Sequence, residues 1–562
     1  MSPKSTFVTA LACALMLAAC QSGPHATADQ AMAEASMSPV APPPPAPPAP
    51  ISVQASAMDA TAYAGNAKAA RMVAMPSYPM PPPTNIENYE RPDDNPVKRA
   101  AETPLSTFSI DVDTGSYSNV RRMLATGVRP PTDAVRAEEF INYFRYGHAA
   151  PSSRDVPFGV STELAPSPFN ANRQLLMIGI KGYDVPKTTL PPSNLVFLID
   201  TSGSMMDEDK LPLVKAALRK LVPQMREQDR VGIVAYAGSA GLVLPPTPGN
   251  RHDEILDALD RLEAGGSTNG GDGIQLAYKV AREAFREGGV NRVLLLTDGD
   301  FNVGVVSRKA LETLVADQRK SGIALSTLGF GTGNYNDAMA ERLADVGNGN
   351  HAYIDSVREA EKVLVRDMQS TLLTIANDVK IQVEFNPTVV AEYRLIGYEN
   401  RALRDEDFDN DAIDAGEIGA GHEVTALYEV ALVGAGGERL PKLRYASSNT
   451  AAGNSGEIAH LKLRYKLPGS TSSRLIERPI SRNELRASTS PTLRFAAAVA
   501  GFADLLRGGQ NIEGWDAKRL RNLAASGLGS DPEGDRTEFL GLTRSADRLI
   551  LGDDDGLHVG GD

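Results

Sequence analysis

One carboxylate and two hydroxyls recur at every second residue in Asp200, Ser202 and Ser204. They follow directly after the apolar run LVFLI at residues 195–199. A short apolar run that ends in a polar, glycine-containing turn is typical of a buried strand in a parallel sheet. Ligands of such sheets bind beyond the carboxyl ends of the strands, and hard cations prefer oxygen ligands. We therefore expect a cation site at this strand end.

Two further segments supply oxygen ligands to the same site. A loop of small residues at 265–269 contains Thr268 and precedes an apolar pattern with helical spacing. A second apolar run, at 293–296, ends in the triplet Thr-Asp-Gly that contains Asp298. A loop hydroxyl and a second strand-end carboxylate complete an oxygen-only set, which consists of Asp200, Ser202, Ser204, Thr268 and Asp298.

In type, order and context these residues resemble the von Willebrand factor type A (VWA) family, whose metal-ion-dependent adhesion site uses D-x-S-x-S, a loop threonine and a T-D-G-type aspartate. The resemblance implies that all five residues take the family's metal-site positions and that the ion is Mg²⁺, with Mn²⁺ or Ca²⁺ as alternatives. Two acids and three neutral hydroxyls leave such an ion under-neutralised. We therefore expect a protein partner that presents an exposed Asp or Glu to the ion.

The surrounding sequence predicts how this site is held. Alternating strands and helices over residues 189–372 predict a doubly wound, mostly parallel α/β sheet, and the resemblance implies that it is of the VWA, Rossmann-like type. Strands with alternating apolar residues precede and follow it, and one of them places Lys462, Arg464 and Lys466 on its polar face. These strands predict a β-rich domain that carries the α/β sheet as an insertion, and apolar stripes near the C-terminus predict a helical cap. The predicted boundaries are 85–188 for an N-terminal flanking region of helices then strands, 189–372 for the VWA domain, 375–480 for a β-rich flanking region and 481–562 for a helical C-terminal region.

The N-terminal residues predict export and a lipid anchor. Lys4 precedes a short apolar stretch at 7–19, which is typical of a secretory signal and too short to span a membrane. The sequence LAAC that ends at Cys20 resembles a bacterial lipobox, which implies a signal peptide at 1–19 and lipidation of Cys20. Gln21 implies, by analogy with Gram-negative sorting, a cell-envelope lipoprotein of the outer membrane. Residues 20–84 are rich in Pro and Ala and predict an extended tether.

The charge of the chain argues against nucleic acid as a partner. The sequence has 57 Lys and Arg against 70 Asp and Glu, a formal net charge of −13, and no basic tract. Nucleic-acid affinity comes mainly from neutralised phosphates, and binding to a membrane surface needs clustered basic residues. We therefore expect contact with the membrane through the lipid anchor only.

An acidic loop at residues 405–411 predicts a second cation site, formed by Asp405, Asp407, Asp409 and Asp411. An EF-hand is excluded because Asn410 and Gly416 stand where that motif needs Gly and Glu. A solvated acidic loop is the alternative. The glycine-rich stretch at 329–333 lacks the dinucleotide-binding spacing and is interpreted as a strand-to-helix loop.

These observations favour a lipid-anchored envelope protein that binds a protein partner through the Mg²⁺ site. No enzyme is expected, because the sequence shows no recognisable acid–base set. Two alternatives stay open. One is a metal-dependent hydrolase of the envelope, in which the ion polarises a substrate. The other is a structural scaffold of an envelope assembly, in which the metal only stabilises the fold.

Overall fold

The computed structural model describes residues 87–90, 93–267, 270–299, 308–441 and 456–552. The predicted signal peptide, Cys20, the tether and Thr268 lie outside these residues. The strands are β1 (Lys98–Arg99), β2 (Leu105–Ser109), β3 (Phe158–Pro166), β4 (Arg173–Gly182), β5 (Ser193–Asp200), β6 (Arg230–Tyr236), β7 (Ala240–Pro248), β8 (Val290–Thr297), β9 (Ala324–Phe330), β10 (His351–Ile354), β11 (Thr374–Phe385), β12 (Val390–Ile396), β13 (Gly416–Gly419), β14 (Glu423–Leu432), β15 (Glu457–Lys466) and β16 (Ser473–Ser481). The α-helices are α1 (Gly115–Ala125), α2 (Ala137–Asn142), α3 (Leu211–Leu221), α4 (His252–Asp260), α5 (Gly270–Glu283), α6 (Arg308–Arg319), α7 (Asp337–Val346), α8 (Val357–Glu361), α9 (Met368–Leu372), α10 (Pro491–Leu506), α11 (Ala517–Ser526) and α12 (Asp535–Gly552).

Six strands form the central α/β sheet in the order β10-β9-β8-β5-β6-β7. All neighbours in it are parallel except the hairpin of β6 and β7 at one edge. Every residue of β5 is buried, because helices cover both faces of the sheet. Phe197 and Ile199 pack with the apolar residues of α3, whereas Val196 and Leu198 pack with those of α5. This two-sided burial explains the unbroken apolar run that precedes Asp200.

Two antiparallel sheets face each other beside the α/β sheet. One has the order β1-β12-β14-β4-β3, and the other has the order β13-β11-β15-β16 with β2 also paired to β11. Side chains of both sheets share one core, in which Leu176 and Tyr428 of the first sheet pack with Val383 and Leu461 of the second. Strands that precede and follow the α/β section therefore pair in the same sheets. This topology is compatible with the predicted insertion.

Helices from both ends of the described chain form a further core. Tyr117 of α1 and Phe140 of α2 pack with Phe495, Phe502 and Phe539 of the C-terminal helices α10 and α12. In the predicted N-terminal flanking region, α2 is short and spans only Ala137–Asn142. No helix among the described residues is long and apolar enough to cross a membrane.

Candidate metal site

Two adjacent parallel strands bring the predicted acidic ligands to one edge of the sheet. Asp200 is the last residue of β5, and Asp298 follows Thr297, the last residue of β8. The register of the two strands pairs Ile199 with Leu296, so Asp200 and Thr297 are level with each other. The Thr297 hydroxyl donates a hydrogen bond of 3.3 Å to Asp200 Oδ2. The carboxyl ends of β5 and β8 thus lie side by side, as the sequence predicts.

The Asp200 carboxylate is fully buried and is oriented by neutral donors. The backbone N–H of Ser202 donates to Oδ1 at 2.9 Å, and the hydroxyl of Tyr236 donates to Oδ2 at 3.1 Å. Burial raises the pKa of Asp200 from 3.8 to about 6, and the hydrogen bonds from Ser202 act in the opposite direction. Each bond holds the ionised carboxyl in place without neutralising its charge.

The turn after β5 places the two serine hydroxyls together and joins them to the loop that contains Thr268. Ser202 Oγ and Ser204 Oγ are 3.1 Å apart. Gly203 N–H donates to the Gly266 carbonyl at 3.0 Å, and Gly266 has a φ of +86°, which a side chain would strain. The described part of this loop therefore lies against the D-x-S-x-S turn. Thr268 itself lies outside the described residues.

Asp298 is fully buried and contacts a buried ammonium group that the sequence pattern does not indicate. Lys210, at the start of α3, is 4% exposed, and its Nζ lies 3.1 Å from Asp298 Oδ2. The amide of Asn334 donates to the same oxygen at 3.0 Å, and Lys210 donates to the amide oxygen of Asn334 at 2.9 Å. These three side chains come from three separate segments, so no local pattern in the sequence joins them.

The chemistry of these donors fits a hard divalent cation. Asp200, Ser202, Ser204 and Asp298, which we call the strand-end site, offer carboxylate and hydroxyl oxygens at two neighbouring strand ends. Such a set of oxygen ligands with few carboxylates is typical of Mg²⁺ sites, where the ion keeps several waters. Among the described residues no group of three or more His, Cys, Asp or Glu is arranged to hold a metal. Any ion at the strand-end site would therefore depend on hydroxyls and water as well as on the two acids.

The four aspartates of the acidic loop, residues 405–411, turn to separate partners instead of converging. Asp405 accepts a hydrogen bond of 2.7 Å from the Thr107 hydroxyl, and Asp407 accepts two bonds of 2.9 Å from the guanidinium of Arg404. Further along the loop, Asp409 forms an ion pair with Arg464, and Asp411 accepts a bond from the backbone of Ser473. The structure gives no support to a second cation site in this loop.

The α/β sheet and its strand-end site define a VWA-domain protein. The model of the von Willebrand factor type A domain matches residues 194–370, a von Willebrand factor model matches residues 83–177, and the model named "Uncharacterized protein YfbK, C-terminal" matches residues 370–549. The chain is 49% identical over 467 residues to uncharacterized protein YfbK of Escherichia coli (strain K12), a match that covers 82% of this chain and 81% of that protein. The chain therefore belongs to the same family as that protein.

More distant relatives share only parts of the chain. Human inter-alpha-trypsin inhibitor heavy chain H3 is 27% identical over 260 residues, which cover 42% of this chain and 28% of that protein. Among solved structures, von Willebrand factor type A from Catenulispora acidiphila aligns with a TM-score of 0.39 and 15% identity, and covers 68% of this chain and 89% of that one. The ArnB paralog VWA2 from Sulfolobus acidocaldarius gives a TM-score of 0.33 and 15% identity, with 71% and 97% covered. Likeness at this level carries no argument about function.

Proposed function

We propose that the chain is a lipid-anchored envelope protein whose VWA domain binds a protein partner through a divalent cation, Mg²⁺ in the first place. A VWA domain indicates protein–protein interaction or adhesion. The observation that carries the finer proposal is the geometry of two strand ends. They place Asp200 and the hydroxyls of Ser202 and Ser204 together in a turn beside a second buried carboxylate, Asp298.

The chemistry of the ligands explains why the ion would bind an acidic residue of a partner protein. Hydroxyls bring no negative charge to the ion, and Mg²⁺ retains exchangeable waters when few carboxylates bind it. A carboxylate from a partner protein can replace one of these waters. The interaction would then depend on the ion, because the carboxylates of the two proteins can lie close together only when a cation between them offsets their negative charge.

The surface next to the site offers further contacts to a partner. Met206, two residues after Ser204, is 64% exposed, and the next two residues, Asp207 and Glu208, are also exposed. An exposed methionine is an adaptable apolar contact. Exposed acids beside the site favour a partner whose key carboxylate is accompanied by basic residues, because complementary charge guides association.

The same site is proposed to have no catalytic role. A hydrolase would need a general base within hydrogen-bond reach of the bound substrate or its attacking water. In the described part of the chain no histidine hydrogen-bonds to Asp200, Ser202, Ser204 or Asp298. Lys210 is the amine that contacts the site, and it is held by Asp298 and Asn334.

The proposed location rests on the N-terminal sequence. The apolar stretch before Cys20 and the Pro- and Ala-rich residues that follow favour an acylated protein with its VWA domain on a long tether. Labelling of the wild type and of Cys20→Ala with an alkyne fatty acid in a Gram-negative host tests this part. We expect label in the membrane fraction for the wild type and none for the variant. Equal labelling of both proteins would contradict the lipid anchor.

Photo-crosslinking from position 206 tests partner binding directly. A photoreactive amino acid replaces Met206 in the anchored protein, and cells are irradiated with Mg²⁺ or with a chelator. We expect a crosslinked protein that is present with Mg²⁺, absent with the chelator and absent in Asp200→Ala. Asp409→Ala, an equal loss of charge in the acidic loop, serves as the matched control and should keep the crosslink. A crosslink that survives both the chelator and Asp200→Ala would refute the proposed function.

A further inference from the structure

A buried lysine sits at the strand-end site in a position that its surroundings fix. Lys210 has an exposed fraction of 4%, and its Nζ contacts Asp298 and Asn334 at 3.1 and 2.9 Å. Its alkyl chain runs along Gly331, where an added Cβ would collide with three of the lysine carbons. Gly331 has a φ of +77°, and its carbonyl accepts a 2.6 Å hydrogen bond from Tyr353. The loop after β9 is therefore shaped to receive this side chain.

The charges of the site do not balance in the way that a simple metal cage would require. Asp200 and Asp298 together would neutralise one divalent ion. Lys210 adds a third charge, and the three groups are each at most 4% exposed. Counted over these three side chains of the described residues, a bound divalent ion would leave one net positive charge in a region of low dielectric, where charge interactions are strong. A single further carboxylate would restore neutrality.

We propose that Lys210 is a built-in cation that weakens metal binding by the free protein and makes it depend on a carboxylate from outside. This inference rests on the proposed function, since it concerns the same ion and the same partner residue. In the metal-free protein Lys210 compensates the buried Asp298 carboxylate. In the loaded protein it repels the ion, and an incoming carboxylate offsets that repulsion. Ion and acidic partner would thus bind cooperatively, each raising the affinity for the other by the same factor.

Lys210→Met tests the inference, because it keeps an unbranched apolar chain against Gly331 and removes only the charge and its hydrogen bonds. Binding of Mn²⁺ alone is measured by electron paramagnetic resonance and by calorimetry, with chloride and then with acetate at equal ionic strength. We expect Lys210→Met to bind Mn²⁺ at least about tenfold more tightly than the wild type in chloride. We also expect acetate to tighten Mn²⁺ binding by the wild type and to have a smaller effect on the variant.

Two controls separate the charge of Lys210 from general effects. Lys220→Met makes the same change of net charge at the other end of α3, about 15 Å away, where Lys220 forms an exposed ion pair with Glu361. It should leave Mn²⁺ affinity unchanged, because exposed charges are screened. Lys210→Gln is a second neutral variant, and it should also tighten Mn²⁺ binding.

The possible outcomes separate a failure of this inference from a failure of the proposed function on which it rests. If the wild type shows no saturable Mn²⁺ or Mg²⁺ binding, the proposed function fails. If the wild type binds Mn²⁺ but a folded Lys210→Met or Lys210→Gln binds it no more tightly, Lys210 only positions Asp298 and the inference alone is wrong. If neither neutral variant folds, the wild type decides: Mn²⁺ affinity that acetate does not change overturns the inference, and affinity that acetate raises supports it.

Discussion

The strand-end site and the acidic loop both present carboxylates that the sequence marks as cation ligands, yet the structure treats them differently. The loop has four aspartates within residues 405–411, and Asp405, Asp409 and Asp411 are exposed. The strand-end site has only two, Asp200 and Asp298, and both are fully buried. The loop is richer in acid, but its carboxylates have separate partners. Carboxylates that are close together in the sequence therefore do not by themselves converge on one point in the structure.

The pKa of Asp200 and the pKa values of two aspartates in the loop are shifted in opposite directions. Burial raises the pKa of Asp200 to about 6. The hydrogen bonds from Arg404 and from Ser473 lower the pKa of Asp407 and of Asp411. Asp407 and Asp411 are thus stabilised in their ionised form by their hydrogen-bond partners, whereas burial destabilises ionised Asp200. Proteins depart from such stabilisation mainly at functional sites.

The largest expected effect follows from the free-energy cost of keeping the buried Asp200 carboxylate ionised in the metal-free protein. Because the folded-state pKa of Asp200 is raised from 3.8 to about 6, the native state binds this proton more tightly than the unfolded chain does. The destabilisation is absent below pH ~4, grows as the pH rises toward 6 and is complete above it. Asp200→Asn should therefore raise the free energy of unfolding of the metal-free protein at pH 7.5 by about 3 kcal/mol. Urea unfolding in chelator measures this difference.

The pH dependence provides the control for this prediction. The stability advantage of Asp200→Asn should shrink as the pH falls and should disappear near pH 4, where Asp200 of the wild type is protonated. Asp409→Asn in the acidic loop should show no advantage at either pH. An Asp200→Asn protein that is less stable than the wild type at both pH values would mean that the hydrogen bonds of Asp200 outweigh its burial.

The second largest expected effect is the stabilisation of the protein by Mg²⁺, which should depend on the strand-end site. Mg²⁺ at one hundred times its dissociation constant should stabilise the wild type by about 2.7 kcal/mol, because a ligand that binds only the native state stabilises it by mass action. Asp200→Ala should lose this stabilisation. The measurement is the difference in melting temperature between Mg²⁺ and chelator. Equal shifts in the wild type and in Asp200→Ala would place the ion elsewhere in the molecule.

Local sequence was sufficient to predict the ends of β5 and β8 and the acids they carry. Both strands are unbroken apolar runs that stop at a polar turn, so Asp200 and Asp298 could be placed from their neighbours alone. Lys210 could not be found in this way. It contacts Asp298 across 88 positions and Asn334 across 124, and in the sequence it appears only as a polar residue before a helix.

Contacts between residues that are distant in the sequence also explain why the acidic loop was interpreted as a cation site. Its carboxylates were visible in the sequence, but two of the basic residues that contact the loop come from the distant strand β15. Arg464 pairs with Asp409 across 55 positions, and Lys466 donates to the Asp411 carbonyl across the same separation. The alternation of apolar and basic residues in β15 predicts a half-exposed strand. It does not reveal which acids the basic face will meet, because that depends on how β11 and β15 pair.

The smallest expected effect tests the acidic loop itself. Asp409 is 79% exposed and pairs with Arg464, which is 20% exposed. Exposed ion pairs contribute less than about 1 kcal/mol, because water and salt screen them and two long side chains lose freedom. Asp409→Ala should therefore change the free energy of unfolding by less than about 1 kcal/mol and leave the Mg²⁺-induced melting shift intact. If it abolished that shift, the loop would be the metal site, and the assignment of the ion to the strand-end site would fail.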